Sequence, residues 1–512
     1  MATHTHSRVP RWRRLLKKIL LSAIGFIAVL VLLVGLRGCY AFRDRNPGYT
    51  LSIERDGAAA KANPKPLRVG FGRLKINPDI SDPNRPVWIA GFSQNRPATG
   101  IHDDLWAVAI CLDDGHTRLG LVVLDAIGFF HDDVIAVRRK LAEELKLDYA
   151  IVCATHNHST PDLMGLWGSS PFSTGVDPKY LQHVIDSAAG ALAMAVTNLQ
   201  PARVAFHEIP TKPDGLVGDT RKPEVFDSDI RVMHFTHPSS GATMGTIVGW
   251  ANHPETVWSE NTEITADFPG YLRDTLENGY TFKGALLEPG VGGVHVFVNG
   301  AVGGLMSTTP RVTVQHPYSK QDLKQPSHEK AQALGLQLAS RILPRLEDTN
   351  APTQDQLTIG IQARTLNVPL DNFAFLLAPT LGLIDRGHVR WKMMRTEVAL
   401  VTIGDASIAC IPGEIYPELV NGGIEKPSGA DYAVDPVEIP PIRELMPGKI
   451  KFIFGLANDE IGYIIPKSEW DREPPYLYDA KKSPYGEVNS VGPEVAGLIH
   501  AALKEMSSSA VK

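Results

Sequence analysis

Cysteine is scarce in this sequence: four in 512 residues, at Cys39, Cys111, Cys153 and Cys410. A disulfide framework is thereby excluded, and the last three lie in apolar strand-like runs where a thiol packs as a small hydrophobe. Positive charge is not in excess either. The 51 lysines and arginines face 56 acidic residues, a net charge of -5. With no basic surface to neutralise phosphates, nucleic acid is not the expected partner. Catalytic signatures are missing too. There is no Gly-x-Ser-x-Gly elbow, which removes the usual α/β-hydrolase nucleophile. Neither a P-loop nor a Gly-x-Gly-x-x-Gly occurs, which argues against nucleotide chemistry. No His-Glu-x-x-His is present, so any metal ligands must be gathered from distant parts of the chain.

Long apolar runs are confined to one place. Ile19 to Leu36 is uncharged for 18 residues and follows Arg8, Arg11, Arg13, Arg14, Lys17 and Lys18. A helix of this length just spans a bilayer's hydrocarbon core. The upstream charges would hold the N-terminus in the cytoplasm and place the bulk in the periplasm or outside the cell. The competing reading is a cleaved signal segment, whose apolar region is usually shorter. The expected layout is a basic cytoplasmic segment (1–18), a transmembrane anchor or signal segment (19–36), a linker (37–66), a catalytic domain (67–506) and a tail (507–512).

Ordinary proportions otherwise prevail, 43% hydrophobic and 21% charged, as expected of a globular body. Alternating apolar runs predict strands at 107–112, 119–124, 203–209, 246–250, 294–298, 357–368, 398–411 and 452–456. Helical stripes are expected at 132–147, 178–199, 269–277, 328–346 and 493–506. Strands and helices alternate, so the expected class is α/β: a mixed sheet with flanking helices in a single large domain.

The stretch Thr155-His156-Asn157-His158-Ser159 follows the β-prone run Tyr149 to Ala154. In an extended segment His156 and His158 point the same way, at a strand end, where sheet-based enzymes place reactive groups. Two imidazoles on one side suit a divalent metal, Zn²⁺ first. Alone, a His-x-His is more often a solvated loop, so it needs partners. His253, Glu414 and Tyr463 each leave the end of an apolar run, though each also has a plainer reading: loop residue, helix first-turn charge, packed aromatic.

Taken in order, these pieces resemble the neutral/alkaline (non-lysosomal) ceramidase family. The match runs through Gly100-Ile101-His102-Asp103-Asp104-Leu105, Thr155 to Ser159, Arg221 ahead of Asp229-Ile230-Arg231-Val232, and Asn252-His253-Pro254-Glu255-Thr256. It continues through Asn299-Gly300-Ala301-Val302-Gly303, Ile411-Pro412-Gly413-Glu414, Asn458 to Tyr463 and Tyr485-Gly486-Glu487. The resemblance implies one Zn²⁺ held by His156, His253, Glu414 and Tyr463. It implies hydrolysis of the N-acyl bond of ceramide to a fatty acid and a sphingoid base. By the same resemblance His158 would steady an oxyanion or pass a proton to the leaving amine, and Arg221, Tyr485 and His102 would meet the substrate. A serine is also expected to take part after the Asn-rich strand end.

Three departures stand against that pattern. Gly303-Gly304-Leu305-Met306-Ser307 puts Met306 at the ungapped serine position, with Ser307 one residue on. No extra C-terminal domain is expected after Met506, so the 19–36 segment would be what keeps the site near a bilayer. Glu473 to Tyr478 also departs from the family, so substrate shape is expected to differ. Two alternatives remain open at this level: a metal hydrolase of another amide or ester, and a catalytically silent lipid-binding relative.

Overall fold

The computed structural model describes residues 11–510; Arg8 of the basic segment and Val511 and Lys512 of the tail lie outside the described residues. Three five-stranded sheets form the body. In the first, Arg68–Lys75, Trp106–Asp113 and Arg118–Leu124 run antiparallel, and Tyr149–Ala154 joins the last in parallel. The second pairs Arg203–Ile209, Ile230–Thr236 and Thr243–Trp250 antiparallel, then adds Val294–Asn299 in parallel. The third carries Ile359–Pro369, Met393–Ile403 and Ala406–Cys410 antiparallel, with Ile450–Phe454 in parallel. The expected α/β class with mixed pairing is what the chain adopts, as three sheets rather than one.

Strand alternation explains how the sheets stack. Along Trp106–Asp113, Val108, Ile110 and Leu112 enter a core shared with Met233, Phe235, Ile359, Val401 and Phe452 of the other two sheets. Ala107, Ala109 and Cys111 point to the opposite face, into a second core beneath the helices. With a residue period of two, one strand thus serves two cores. Cys153 and Cys410 are buried in the shared core and all four cysteines are free. Pro178–Thr197 lies directly on the first sheet. Its approach depends on Gly70, where an added Cβ would fall 2.1 Å from the Ala195 carbonyl oxygen.

Two expected elements differ in detail. The 132–147 helix ends at Lys140, because Leu141 is extended; a short turn of helix follows at Glu143–Leu145. The 398–411 strand is a hairpin, Met393–Ile403 and Ala406–Cys410, folded at Gly404 and Asp405.

The N-terminal helix runs Arg11–Ala41, longer than the apolar run within it. Its Leu15–Ala41 part is long and apolar enough to cross a membrane, and it is not covered by the body. Residues 37–66, expected as a linker, carry structure of their own. Ser52–Arg55 adds a strand to Ile359–Pro369, and Asp44 pairs with Arg395 at 2.7 Å. The 507–510 stretch continues the helix Val495–Ala510.

Candidate active site

The ends of all three sheets meet at one point. His156 comes two residues after the Tyr149–Ala154 strand, His253 three after Thr243–Trp250, and Glu414 four after Ala406–Cys410. Glu414–Ile415 then pairs in parallel with Tyr463–Ile464, setting Glu414 opposite Tyr463. The loop 455–458 crosses to the first sheet, where the Asn458 amide donates to the Val152 carbonyl at 2.7 Å and the Ala154 amide to that of Leu456 at 3.2 Å. These crossings bring together groups that are up to 307 residues apart in sequence (156 to 463).

His156 is not extended. It sits at φ 67°, in the left-handed region that a β-carbon disfavours. The ring is therefore aimed by a strained residue rather than by strand alternation. Its Nδ1 lies 2.7 Å from the Ile127 carbonyl, and His253 Nδ1 lies 2.8 Å from the Met306 carbonyl. A carbonyl only accepts, so each Nδ1 carries the hydrogen and each Nε2 presents a lone pair. Both lone pairs face the same carboxylate oxygen: Glu414 Oε2 is 3.3 Å from His156 Nε2 and 3.0 Å from His253 Nε2. His158 Nε2 is 3.5 Å from His156 Nε2. Electron pairs converging in this way repel unless a proton or a cation lies among them. Ring tautomers fixed by carbonyls, with Nε2 atoms and a carboxylate inward, are the donor set a divalent metal requires. His156, His158 and His253 form a buried group whose ligand atoms lie close enough together to hold a metal ion.

The electrostatics agree with that reading. Burial works to raise the Glu414 carboxyl, yet His156 and His253 hold it below the usual carboxylate range. Burial, then Glu414, pushes the Tyr463 hydroxyl well up. Burial, then His156 and His253, keeps His158 well below an ordinary imidazole, so its ring is neutral. Glu255 Oε2 lies 3.2 Å from His158 Nδ1, and burial lifts its carboxyl to about 7.

The remaining expected residues divide. Tyr485 is 55% exposed, at the rim of the cavity that His156, His158, Glu414 and Tyr463 also line, with its ring edge-on to Tyr463 at 5.9 Å. The Ser307 hydroxyl donates to the Thr309 carbonyl at 2.8 Å and lies beside Glu255. Arg221 lies outside the cavity lining. It donates to Glu487 at 2.6 Å and stacks over Tyr416 at 4.6 Å, because two buried carboxylates, Glu487 and Glu469, claim its guanidinium. His102 is elsewhere, stacked on His328 at 3.7 Å with Nδ1 2.8 Å from Asp103.

Several contributors were not singled out from the sequence. Asn299 holds two site loops together: its Nδ2 donates to the Thr155 carbonyl at 3.0 Å and the Asn252 carbonyl at 2.9 Å, and its Oδ1 accepts from the Asn252 amide at 3.0 Å. Its only signal was its place in the Asn-Gly strand end. Arg96 donates to the His158 carbonyl at 2.5 Å. Glu460 faces the cavity beside Glu414, with Oε2 unpartnered and its carboxyl raised by burial. Arg386, His388 and Asn489 also line the cavity, whose walls are otherwise mostly apolar, with Phe130, Leu166, Trp167, Phe375 and Met394 among them.

Among solved structures, a neutral ceramidase from Pseudomonas aeruginosa superposes with a TM-score of 0.64, over 87% of this chain and 74% of that one, at 17% identity. This is the neutral ceramidase fold. A ceramidase complexed with C2 superposes similarly, with a TM-score of 0.62 over 87% of this chain and 75% of the other, at 15% identity. No family model matches the chain, and no curated protein does. The resemblance read from eight short motifs thus extends to the neutral ceramidase fold as a whole, while overall identity stays low.

Proposed function

We propose that the chain is a zinc-dependent hydrolase of the N-acyl amide bond of ceramide or a related N-acyl lipid, releasing a fatty acid and a sphingoid base. The observation that carries this is the convergence of the His156 and His253 Nε2 atoms on one carboxylate oxygen, Glu414 Oε2, at 3.3 and 3.0 Å, beside a largely apolar cavity. Ceramide hydrolysis is what the structural neighbours, both ceramidases, suggest, and the largely apolar walls suit a long-chain lipid. His156, His253, Glu414 and Tyr463 would hold the ion. Zn²⁺ there supplies Lewis acidity, polarising an amide carbonyl and making water acidic enough to attack near neutral pH.

The chain's own groups do the rest. His158, neutral and aimed at the cluster by its Nε2, can carry a proton to the leaving amine, with the Glu255 carboxyl 3.2 Å from its Nδ1. Tyr485 at the rim offers a hydroxyl to the substrate's polar end. Arg221 acts through others in this reading, bracing Tyr416, whose ring meets that of Tyr463 at 6.1 Å. Ser307 positions Glu255. The Arg11–Ala41 helix anchors the enzyme, with the body on the periplasmic or extracellular side.

The test is elemental analysis of the purified chain beside release of fatty acid from ceramide and from simpler N-acyl amides. About one zinc per chain is expected, lost together with turnover in His253→Ala. A chain that hydrolyses only simple amides would redirect the substrate; a folded chain without bound zinc would end the metal reading.

A further inference from the structure

The helix Phe373–Leu381 forms part of the cavity wall and is apolar except at Thr380. Phe375 and Pro379 line the cavity, while Leu376 and Ala378 are buried. The outward stripe is apolar too. Phe373, Leu377 and Leu381 recur every four residues and are 70%, 41% and 46% exposed. A soluble protein does not ordinarily leave such a helix face in water.

What covers it is indicated by its neighbour. Arg37 is the first charged residue after the apolar run Ile19 to Leu36. Its Nε donates to the Thr380 carbonyl at 2.9 Å and its Nη2 to the Pro379 carbonyl at 3.0 Å. The membrane-length helix is therefore fastened to the C-terminal end of Phe373–Leu381. At ~1.5 Å per residue the 18-residue run spans most of a bilayer's hydrocarbon core, so Arg37 falls at the boundary on the body's side. Phe373–Leu381 must lie at the same depth. Two exposed aromatics share that level: Trp391, edge-on to Phe42 at 4.7 Å, and Tyr40, under Arg43 at 3.9 Å. Amphipathic rings at this level are what a membrane interface selects.

We propose that Phe373, Leu377 and Leu381 dock in the bilayer leaflet facing the body, so that one helix touches lipid on its outer side and the cavity on its inner side. The docking stands without any assumption about catalysis. Its consequence rests on the reading given under Proposed function: a membrane-resident lipid reaches the cavity past this helix from the leaflet, without first dissolving in water.

The test uses the full chain reconstituted in phosphatidylcholine vesicles. Cys39 is replaced by Ser, the other three cysteines being buried, and Leu377→Cys is labelled with a fluorophore. Quenching by a phospholipid carrying a nitroxide high on its acyl chain, with protection from aqueous iodide, is expected. Iodide quenching without lipid quenching would overturn the proposal, and so would cross-linking of the label site between two copies. In a second arm, Phe373, Leu377 and Leu381 are changed to Ser together. Turnover of ceramide in vesicles should fall about tenfold, with a water-soluble short-chain N-acyl amide turned over as before. An equal loss on both substrates would make the stripe merely structural. If the unaltered chain hydrolyses neither substrate, the hydrolase reading fails, and the quenching arm still decides the docking.

Discussion

At the scale of single residues, the site depends on groups whose side-chain chemistry is not the chemistry of the reaction. The imidazoles are aimed by two backbone carbonyls, those of Ile127 and Met306, and the loops carrying them are tied by one amide. Met306 shows how this escapes a sequence reading. It stands where the ceramidase pattern would place a serine, and its side chain is buried in the core, but its carbonyl accepts from both the amide and the Nδ1 of His253, at 3.0 and 2.8 Å. Any residue supplies a carbonyl, so no letter in the sequence marks it. Asn299 can be tested where a carbonyl cannot. It makes two donated bonds and accepts from the Asn252 amide, all within the interior. Asn299→Ala removes them and leaves those backbone groups buried without partners, at roughly 1–3 kcal/mol each before relaxation. Because those groups belong to the residues preceding His156 and His253, zinc affinity should fall about 10- to 100-fold. A competition titration against a chromophoric chelator would measure it; unchanged affinity would show that the loops hold themselves.

At the scale of elements, what could be read in advance was whatever repeats locally. Arg203–Ile209 lies on the expected residues, and Pro178–Thr197 begins on the expected proline, because a period of two and a capped stripe of 3.6 are local properties. Phe373–Leu381 was missed for the complementary reason: with Thr380 its one polar residue and Pro379 within it, it has no polar face to give a period. His156 and His158 were expected to be neighbours through an extended segment. They are neighbours, through a left-handed residue instead. Parallel pairing of Glu414 with Tyr463 is non-local, and only the order of motifs hinted at it. The Glu414–Ile415 segment is also placed from behind, by the turn at Gly303. The Gly303 amide donates to the Ile415 carbonyl at 2.8 Å, and a β-carbon there would lie 2.6 Å from the Glu414 oxygen and 2.3 Å from the Tyr416 ring. Gly303→Ala should push this segment off its register, costing about 1–3 kcal/mol in stability as an overpacked core does. Zinc affinity should fall with it, whereas Gly241→Ala, in open space on a surface turn, should leave zinc affinity unchanged. Thermal unfolding and the same zinc titration would check both variants.

At the scale of the whole molecule, the candidate ligands come from three different sheets. His156 extends the first, His253 the second, and Glu414 and Tyr463 the third, and these sheets already share one core. A single ion at their meeting point would therefore act on more than the reaction. It would hold three sheet ends against the repulsion of two inward lone pairs and a buried carboxylate, and any ion bound to the folded chain alone stabilises the fold by mass action. At a free concentration of about a thousand times Kd, that linkage is worth about 4 kcal/mol. Removing the metal with a chelator should consequently lower the melting temperature of the full chain, and adding back one equivalent of Zn²⁺ should restore it. Mg²⁺, a hard ion that prefers oxygen ligands, should not substitute at a site with two imidazole ligands. The control is Glu414→Gln, which removes the carboxylate charge while keeping the side chain's size. Its melting temperature should respond little to either chelator or zinc, because the carboxylate that faces both His156 and His253 is gone. A chelator shift that persists undiminished in Glu414→Gln would mean that the stabilising ion sits elsewhere, and the three sheets would then be held at this end by packing alone.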